Sequence, residues 1–214
     1  MPTIIWSVLG RLCLGLALVA TVTLLSGTGF ANPVQIVAIG DSNTYGYGVP
    51  RDKTYPAQLQ ETLRARGYEV DIINKGVNGD MTAETLDRLQ RSIPDGTDAV
   101  IVFLGRNDWR KGTPAVAIAH NLDVIVGHLR NSGMEVLLVG FAPNDFSAIA
   151  KKYGTLYYEN FFDGTTVLGR KRKRYKLRGD IGAHLNPAGY AVVVKRMTPS
   201  VEALIGRVNG TATN

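Results

Sequence analysis

Cysteine is almost absent: the 214-residue chain has one, Cys13, near its start. From Asn32 onward there is no thiol, which excludes disulfides, thiolate metal ligands and a cysteine nucleophile there. Histidine is scarce too, with three in all. His120 and His128 stand eight apart on one predicted helix, with no third ligand spaced for zinc, so the expectation is surface histidines and no metal. Internal repeats and low-complexity linkers are missing, so neither a repeat array nor tethered modules are expected. An apolar stretch long enough to span a bilayer comfortably is missing as well. The run from Leu12 to Leu25, about 14 residues behind Arg11, fits the apolar segment of a secretory signal. Gly29-Phe30-Ala31 offers small residues for cleavage after Ala31. The expectation is a cleaved leader over 1–31, export to the periplasm or beyond, one domain over 32–209 and a polar tail over 210–214. An uncleaved membrane anchor is the alternative.

With 45% apolar and 20% charged residues, the remainder is an ordinary globular sequence, long enough to bury a substantial core. The net charge is +6, and Arg11 is the only charged side chain of the leader, so +5 remains beyond it. That excess is concentrated: Arg170, Lys171, Arg172, Lys173, Arg174, Lys176 and Arg178 fall in one short segment.

Apolar runs alternate with amphipathic ones. Strands are predicted at 34–39, 70–73, 99–104, 136–139 and 156–158, and helices at 54–66, 82–91, 113–130 and from 186–187 to about 208. Thr113 is the expected N-cap of the third helix, with Pro114 at its first position. The near-uniform apolarity of Ala99 to Leu104 marks a central strand buried on both faces. This alternation predicts a three-layer α/β domain around a mostly parallel five-stranded sheet. In such sheets ligands bind beyond the carboxyl ends of the strands, at the topological switch point. Residues just after Ile39, Ile73, Leu104 and Val139 are therefore the ones to inspect.

They are chemically rich. Gly40-Asp41-Ser42-Asn43 follows the first strand, Asn74 to Asp80 the second, and Gly105-Arg106-Asn107-Asp108 the third. Asp180 to Pro187, containing His184, precedes the last helix. A serine hydroxyl is a weak nucleophile until a base takes its proton. A carboxylate behind the base fixes its tautomer. The tetrahedral oxyanion needs fixed donors, worth roughly 3–4 kcal/mol each. Acyl transfer needs that inventory. Asp41 and Asp108, and likewise Asn74, Asn78 and Asp80, are read as holding loops through hydrogen bonds.

The four blocks, in order and on the right elements, resemble those of the SGNH (GDSL-like) hydrolases, over nearly all of the chain beyond the leader. The similarity is greatest to the branch of small exported esterases comprising thioesterase I/lysophospholipase L1 and arylesterases. Tyr45 to Val49, Tyr55 to Leu59 and Gly76 to Thr82 add to it. The resemblance implies a flavodoxin-like fold and a cofactor-free monomer acting on a small acyl ester, by carboxylic ester hydrolysis extending to thioesters or lysophospholipids. It makes Ser42 the nucleophile and His184 the base. The Ser42 and Gly79 amides and the Asn107 side chain become the oxyanion hole. A carbohydrate O-deacetylase of the same fold is the first rival reading. A catalytically weak envelope-binding module is the second.

Four features depart from the family's pattern. The acid three residues before the histidine is replaced by Ile181, and Asp180 stands four before His184. Three and four residues return to the same side of a helical turn, so Asp180 is the preferred third member. The alternative is a dyad, with His184 held by a main-chain carbonyl. Asn43 replaces a usual leucine and should affect packing or local hydrogen bonding. Arg106 stands where a small residue is usual, either to bind an anionic substrate group or to face solvent. The stretch from Phe141 to Tyr157 is short, which predicts a shallower, more open site and weighs against long acyl chains. Tyr45 is assigned to substrate binding, and Tyr45 and Tyr47 are both placed either at the pocket mouth or in turn packing. The basic run reads as a solvated loop that leads into His184, and so as a surface attracting an anionic substrate or membrane. Nucleic acid is excluded by the export leader and by the lack of interleaved stacking aromatics.

Overall fold

The computed structural model describes residues 32–167, 170–180 and 184–210. The predicted leader, Ile181 and the last four residues lie outside them.

The apolar runs become strands β1 (Val34–Gly40), β2 (Val70–Gly76), β3 (Ala99–Phe103), β4 (Glu135–Val139) and β5 (Leu156–Tyr158). They form one sheet in the order β2-β1-β3-β4-β5, and every pairing is parallel. β3 is buried along its whole length and β1 and β4 nearly so, as strands covered on both faces must be. β2 and β5 form the edges and are half exposed.

Helices α1 (Ser42–Tyr45), α2 (Tyr55–Arg64), α3 (Thr82–Ser92), α4 (Arg106–Arg110), α5 (Ala115–Asn131), α6 (Ser147–Tyr153) and α7 (Pro187–Val208) complete the fold. α2 packs on α7 on one side of the sheet, and α5 packs on α3 and α6 on the other. The result is the predicted three-layer α/β architecture, and its strand order is that of flavodoxin-like sheets. Among the described residues no helix is long and apolar enough to cross a membrane.

The chain leaves β1 to build β2 on one side and then returns to build β3 on the other, so the switch point lies between β1 and β3. Glycines let α1 sit directly on it. A Cβ on Gly40 would meet Thr44 Oγ1 at 2.1 Å, and one on Gly76 would meet the Tyr45 amide nitrogen at 2.2 Å. Below lies an aromatic floor. Phe103 and Phe161 stack at 4.1 Å, and Tyr55 meets Phe161 edge-on at 5.3 Å.

The structure corrects four expectations. α1, α4 and α6, of four to seven residues, were not foreseen, because so few residues show no helical periodicity. α5 starts at Ala115 with Pro114, not Thr113, as its N-cap. α2 stops at Arg64, short of the expected Arg66. The basic run is not a plain loop: Arg170–Lys171 (β7) pairs antiparallel with Thr166–Val167 (β6), and Lys173–Tyr175 forms a 3-10 turn. Asn186 anchors this strap, donating from Nδ2 to Arg174 O (2.8 Å) and Lys176 O (3.1 Å). Its Oδ1 meanwhile caps α7 by accepting from the Gly189 amide at 2.9 Å.

Candidate active site

Ser42 is the first residue of α1, immediately beyond β1. Asp41 caps that helix, its Oδ1 accepting from the Asn43 amide (2.8 Å) and from Asn43 Nδ2 (3.2 Å). Asn43 is buried, so the residue that replaces the family's leucine serves local hydrogen bonding. As the start of a helix, Ser42 has a backbone N–H with no intrahelical acceptor.

Its hydroxyl is in reach of the histidine: Ser42 Oγ lies 2.9 Å from His184 Nε2. On the other side of the ring, Nδ1 lies 3.0 Å from Asp180 Oδ1. The second carboxylate oxygen, Oδ2, accepts from the His184 backbone N–H at 2.9 Å. Asp180 thus grips both the imidazole and the main chain that carries it. The four-residue spacing closes, and the ring's Nδ1 faces a carboxylate rather than a main-chain carbonyl. With that carboxylate ionised, Nδ1 carries the proton and Nε2 is left to accept from Ser42.

The other candidates come from neighbouring strand ends. Gly79, between β2 and α3, has a left-handed φ of +84° and open space beside it. Asn107, on α4, donates one Nδ2 hydrogen to Asp80 O at 3.0 Å and keeps a second for the site. Both supports of Asn107 are fixed. Asp80 is buried and accepts from Thr85 Oγ1 (2.6 Å) and from Arg88 Nε (2.9 Å). Asp108, also buried, accepts from the Thr82 hydroxyl (2.6 Å) and the Thr82 amide (3.1 Å), capping α3 from another segment. Asn74 donates to Thr44 O at 2.7 Å, beneath α1. Asp108→Ala leaves a buried amide and hydroxyl without their acceptor. We expect a loss of about 2–3 kcal/mol in unfolding free energy, seen as a lower urea midpoint at unchanged m. A loss below about 0.5 kcal/mol would mean that Thr82 finds another acceptor.

Arg106 does not face solvent. It is half-buried, with its guanidinium carbon 4.6 Å from the centre of the Phe162 ring. Burial pushes its pKa down, while the charges of Asp41 and Asp180 push it up. Burial raises the pKa of Asp41, opposed by its bonds from Asn43 and then by the charges of Arg106 and His184. Arg106 directly precedes Asn107 in α4 and feels the charges of Asp41 and Asp180.

The tyrosines divide. The Tyr47 ring lies over His184, with centroids 4.6 Å apart. It also borders an open hollow of about 490 Å³ shared with Gly48, Leu177, Arg178, Gly179 and Asp180. Tyr45, the tyrosine assigned to substrate, instead lines a separate hollow with Arg51, Gln60 and Ile72. Phe162, whose ring lies against Arg106, was not singled out from the sequence, and no motif or spacing marks it. His120 and His128 are exposed on α5, away from these groups.

Comparison with known proteins finds esterases among those this chain is similar to. An arylesterase of Vibrio mimicus is 31% identical over 130 residues, 60% of this chain and 62% of its own length. Esterase TesA of Pseudomonas aeruginosa is 28% identical over 128 residues, 56% of this chain and 64% of its own length. The chain thus spans less than two thirds of the length of these curated relatives. The crystal structure of AlinE4, an SGNH-hydrolase family esterase, superposes with a TM-score of 0.64 at 28% identity, covering 80% of this chain and 96% of AlinE4. Residues 38–192, well over half of the sequence, match the GDSL-like lipase/acylhydrolase family, and the chain belongs to that family.

Proposed function

We propose that this protein is a serine esterase that hydrolyses carboxylic esters through an acyl-Ser42 intermediate. One observation carries the reading: the continuous relay from Ser42 Oγ through the His184 ring to Asp180, with contacts of 2.9 and 3.0 Å. Ser42 Oγ attacks the acyl carbon as His184 Nε2 takes its proton. The carbonyl oxygen becomes an oxyanion held by the Ser42 and Gly79 amides and the Asn107 side chain. Collapse expels the alcohol, which takes the proton from His184. Water then attacks the acyl carbon with His184 again as base, and the acid leaves with Ser42 restored. Thioesters fit the same scheme. The names of the relatives, an arylesterase and an esterase, support the ester.

Between Phe141 and Leu156 the chain has room only for α6, and the hollow beside Asp180 is open. This favours small acyl groups. We expect kcat/KM to fall from 4-nitrophenyl acetate and butyrate to octanoate. A rise toward octanoate would refute the small-acyl reading. Ser42-dependent release of acetate from acetylated sugars, with no turnover of the aryl esters, would replace the esterase by the O-deacetylase. No Ser42-dependent turnover of any of them would favour the binding module.

The strap adds a field. Arg172, Lys173, Arg174 and Arg178 are exposed and make no ion pair among the described residues. The strap runs beside the histidine, with the Leu177 amide donating to His184 O at 3.3 Å. Unpaired charge at a site mouth concentrates anions and is screened by salt. We expect kcat/KM for an anionic ester to fall several-fold between about 0.02 and 0.3 M salt, while a neutral ester stays level. Equal salt responses would reject this role.

A further inference from the structure

The scheme above leaves Arg106 without a task, and its surroundings are costly to explain as packing alone. It precedes Asn107 in α4, at the end of β3, where Phe103 pairs with Gly40. Its guanidinium carbon lies over the ring of Phe162, itself nearly buried and wedged edge-on against Phe161 at 5.1 Å and Phe103 at 6.0 Å. The ring contact engages the charge of the guanidinium, and its N–H groups are left to bond elsewhere.

Nothing described takes those N–H groups: among the described residues, no carboxylate or carbonyl accepts a hydrogen bond from Arg106. The two acids that feel its charge spend contacts elsewhere, Asp41 on Asn43 and Asp180 on His184. A half-buried cation without an ion pair loses hydration that the Phe162 ring and the charges of Asp41 and Asp180 repay only in part. A substrate oxyanion would supply one.

We propose that Arg106 is a substrate-recognition residue that binds a carboxylate carried by the ester, so that the preferred substrates are negatively charged near the scissile bond. This rests on the esterase reading. It differs from the field of the strap, because a half-buried planar fork makes a short-range, charge-assisted bond that salt screens little.

The test compares charged and neutral esters of matched size in 0.5 M sodium chloride. Mono-4-nitrophenyl adipate against 4-nitrophenyl hexanoate places the carboxylate on the acyl side. 4-Acetoxybenzoate against its methyl ester places it on the leaving group. Wild-type protein is expected to favour the charged member of at least one pair by about tenfold in kcat/KM, and the pair identifies the side. Arg106→Gln should bring that ratio to about one, Arg106→Lys should restore part of it, and Arg178→Gln should leave it in place. A wild-type ratio of one or less in both pairs, or a preference that survives Arg106→Gln, overturns the proposal. If no ester turns over, the esterase reading fails separately. Arg106 is then judged by binding to the Ser42→Ala protein. Tighter binding of the adipate ester than of the hexanoate, lost in Ser42→Ala/Arg106→Gln, supports it, and equal binding refutes it.

Discussion

Ser42→Ala is expected to lower kcat for 4-nitrophenyl acetate by about five orders of magnitude or more, and His184→Ala by a similar factor. Both changes break the same relay, so the double variant should be little worse than either single one. The loss should be chemical rather than structural. The substitution removes one oxygen, whose hydrogen-bond partner is the His184 ring. α1 keeps its Asp41 cap and its backbone bonds from the Gly46 and Tyr47 amides to Ser42 O, both 3.0 Å. Unfolding free energy should therefore move by no more than about 1 kcal/mol. A fluorophosphonate should label the wild-type protein once, on the peptide containing Ser42, and should not label Ser42→Ala. Labelling at another serine, or turnover that survives Ser42→Ala, would move the nucleophile elsewhere.

How far the sequence could be read depended on the physical range of each signal. β1, β3 and β4 stood out because strands covered on both faces must be apolar throughout, and Val100 to Leu104 are all buried. α7 stood out because Asn186-Pro187 is a strong helix start, and Asn186 does cap it. From the sheet order follow the positions of Ser42, Gly79 and Asn107, since each lies just beyond a strand end. What resisted reading depends on contacts between distant segments. Whether Tyr45 or Tyr47 meets the histidine depends on how α1 ends. Gly46, left-handed at φ +86°, turns the chain so that Tyr47 lies over the ring. The Arg106–Phe162 contact joins the end of β3 to a segment beyond β5, and neither residue type reveals the other. The strap read as solvated because it is dense in charge, and Arg172, Lys173, Arg174 and Arg178 are indeed exposed. Its order comes from main-chain bonds to Asn186 and Thr165, which charge patterning does not encode.

Asp180→Asn is expected to cut kcat by on the order of 10³–10⁴, and Asp180→Ala by less. The argument rests on the two carboxylate oxygens having different partners. Oδ2 accepts from the His184 amide at 2.9 Å, and Oδ1 faces Nδ1 at 3.0 Å. Asparagine has one oxygen to offer. Placed on the main-chain N–H, it turns its NH₂ group toward Nδ1. The ring must then accept at Nδ1 and carry its proton on Nε2, where it can no longer receive one from Ser42. Placed on Nδ1, it sets its NH₂ group against the His184 amide, donor against donor, which costs a buried hydrogen bond. Alanine imposes neither conflict. The ring loses its anchor but can still take the competent tautomer part of the time. The order Asp, then Ala, then Asn in falling activity is thus a signature of a carboxylate that sets the tautomer. Nitrogen-15 spectra of the imidazole check it directly, with the proton on Nδ1 in the wild type and on Nε2 in Asp180→Asn. A dyad held by other means predicts the opposite: both variants within about tenfold of the wild type and an unchanged tautomer. That result would remove Asp180 from the machinery while leaving Ser42 and His184 in place.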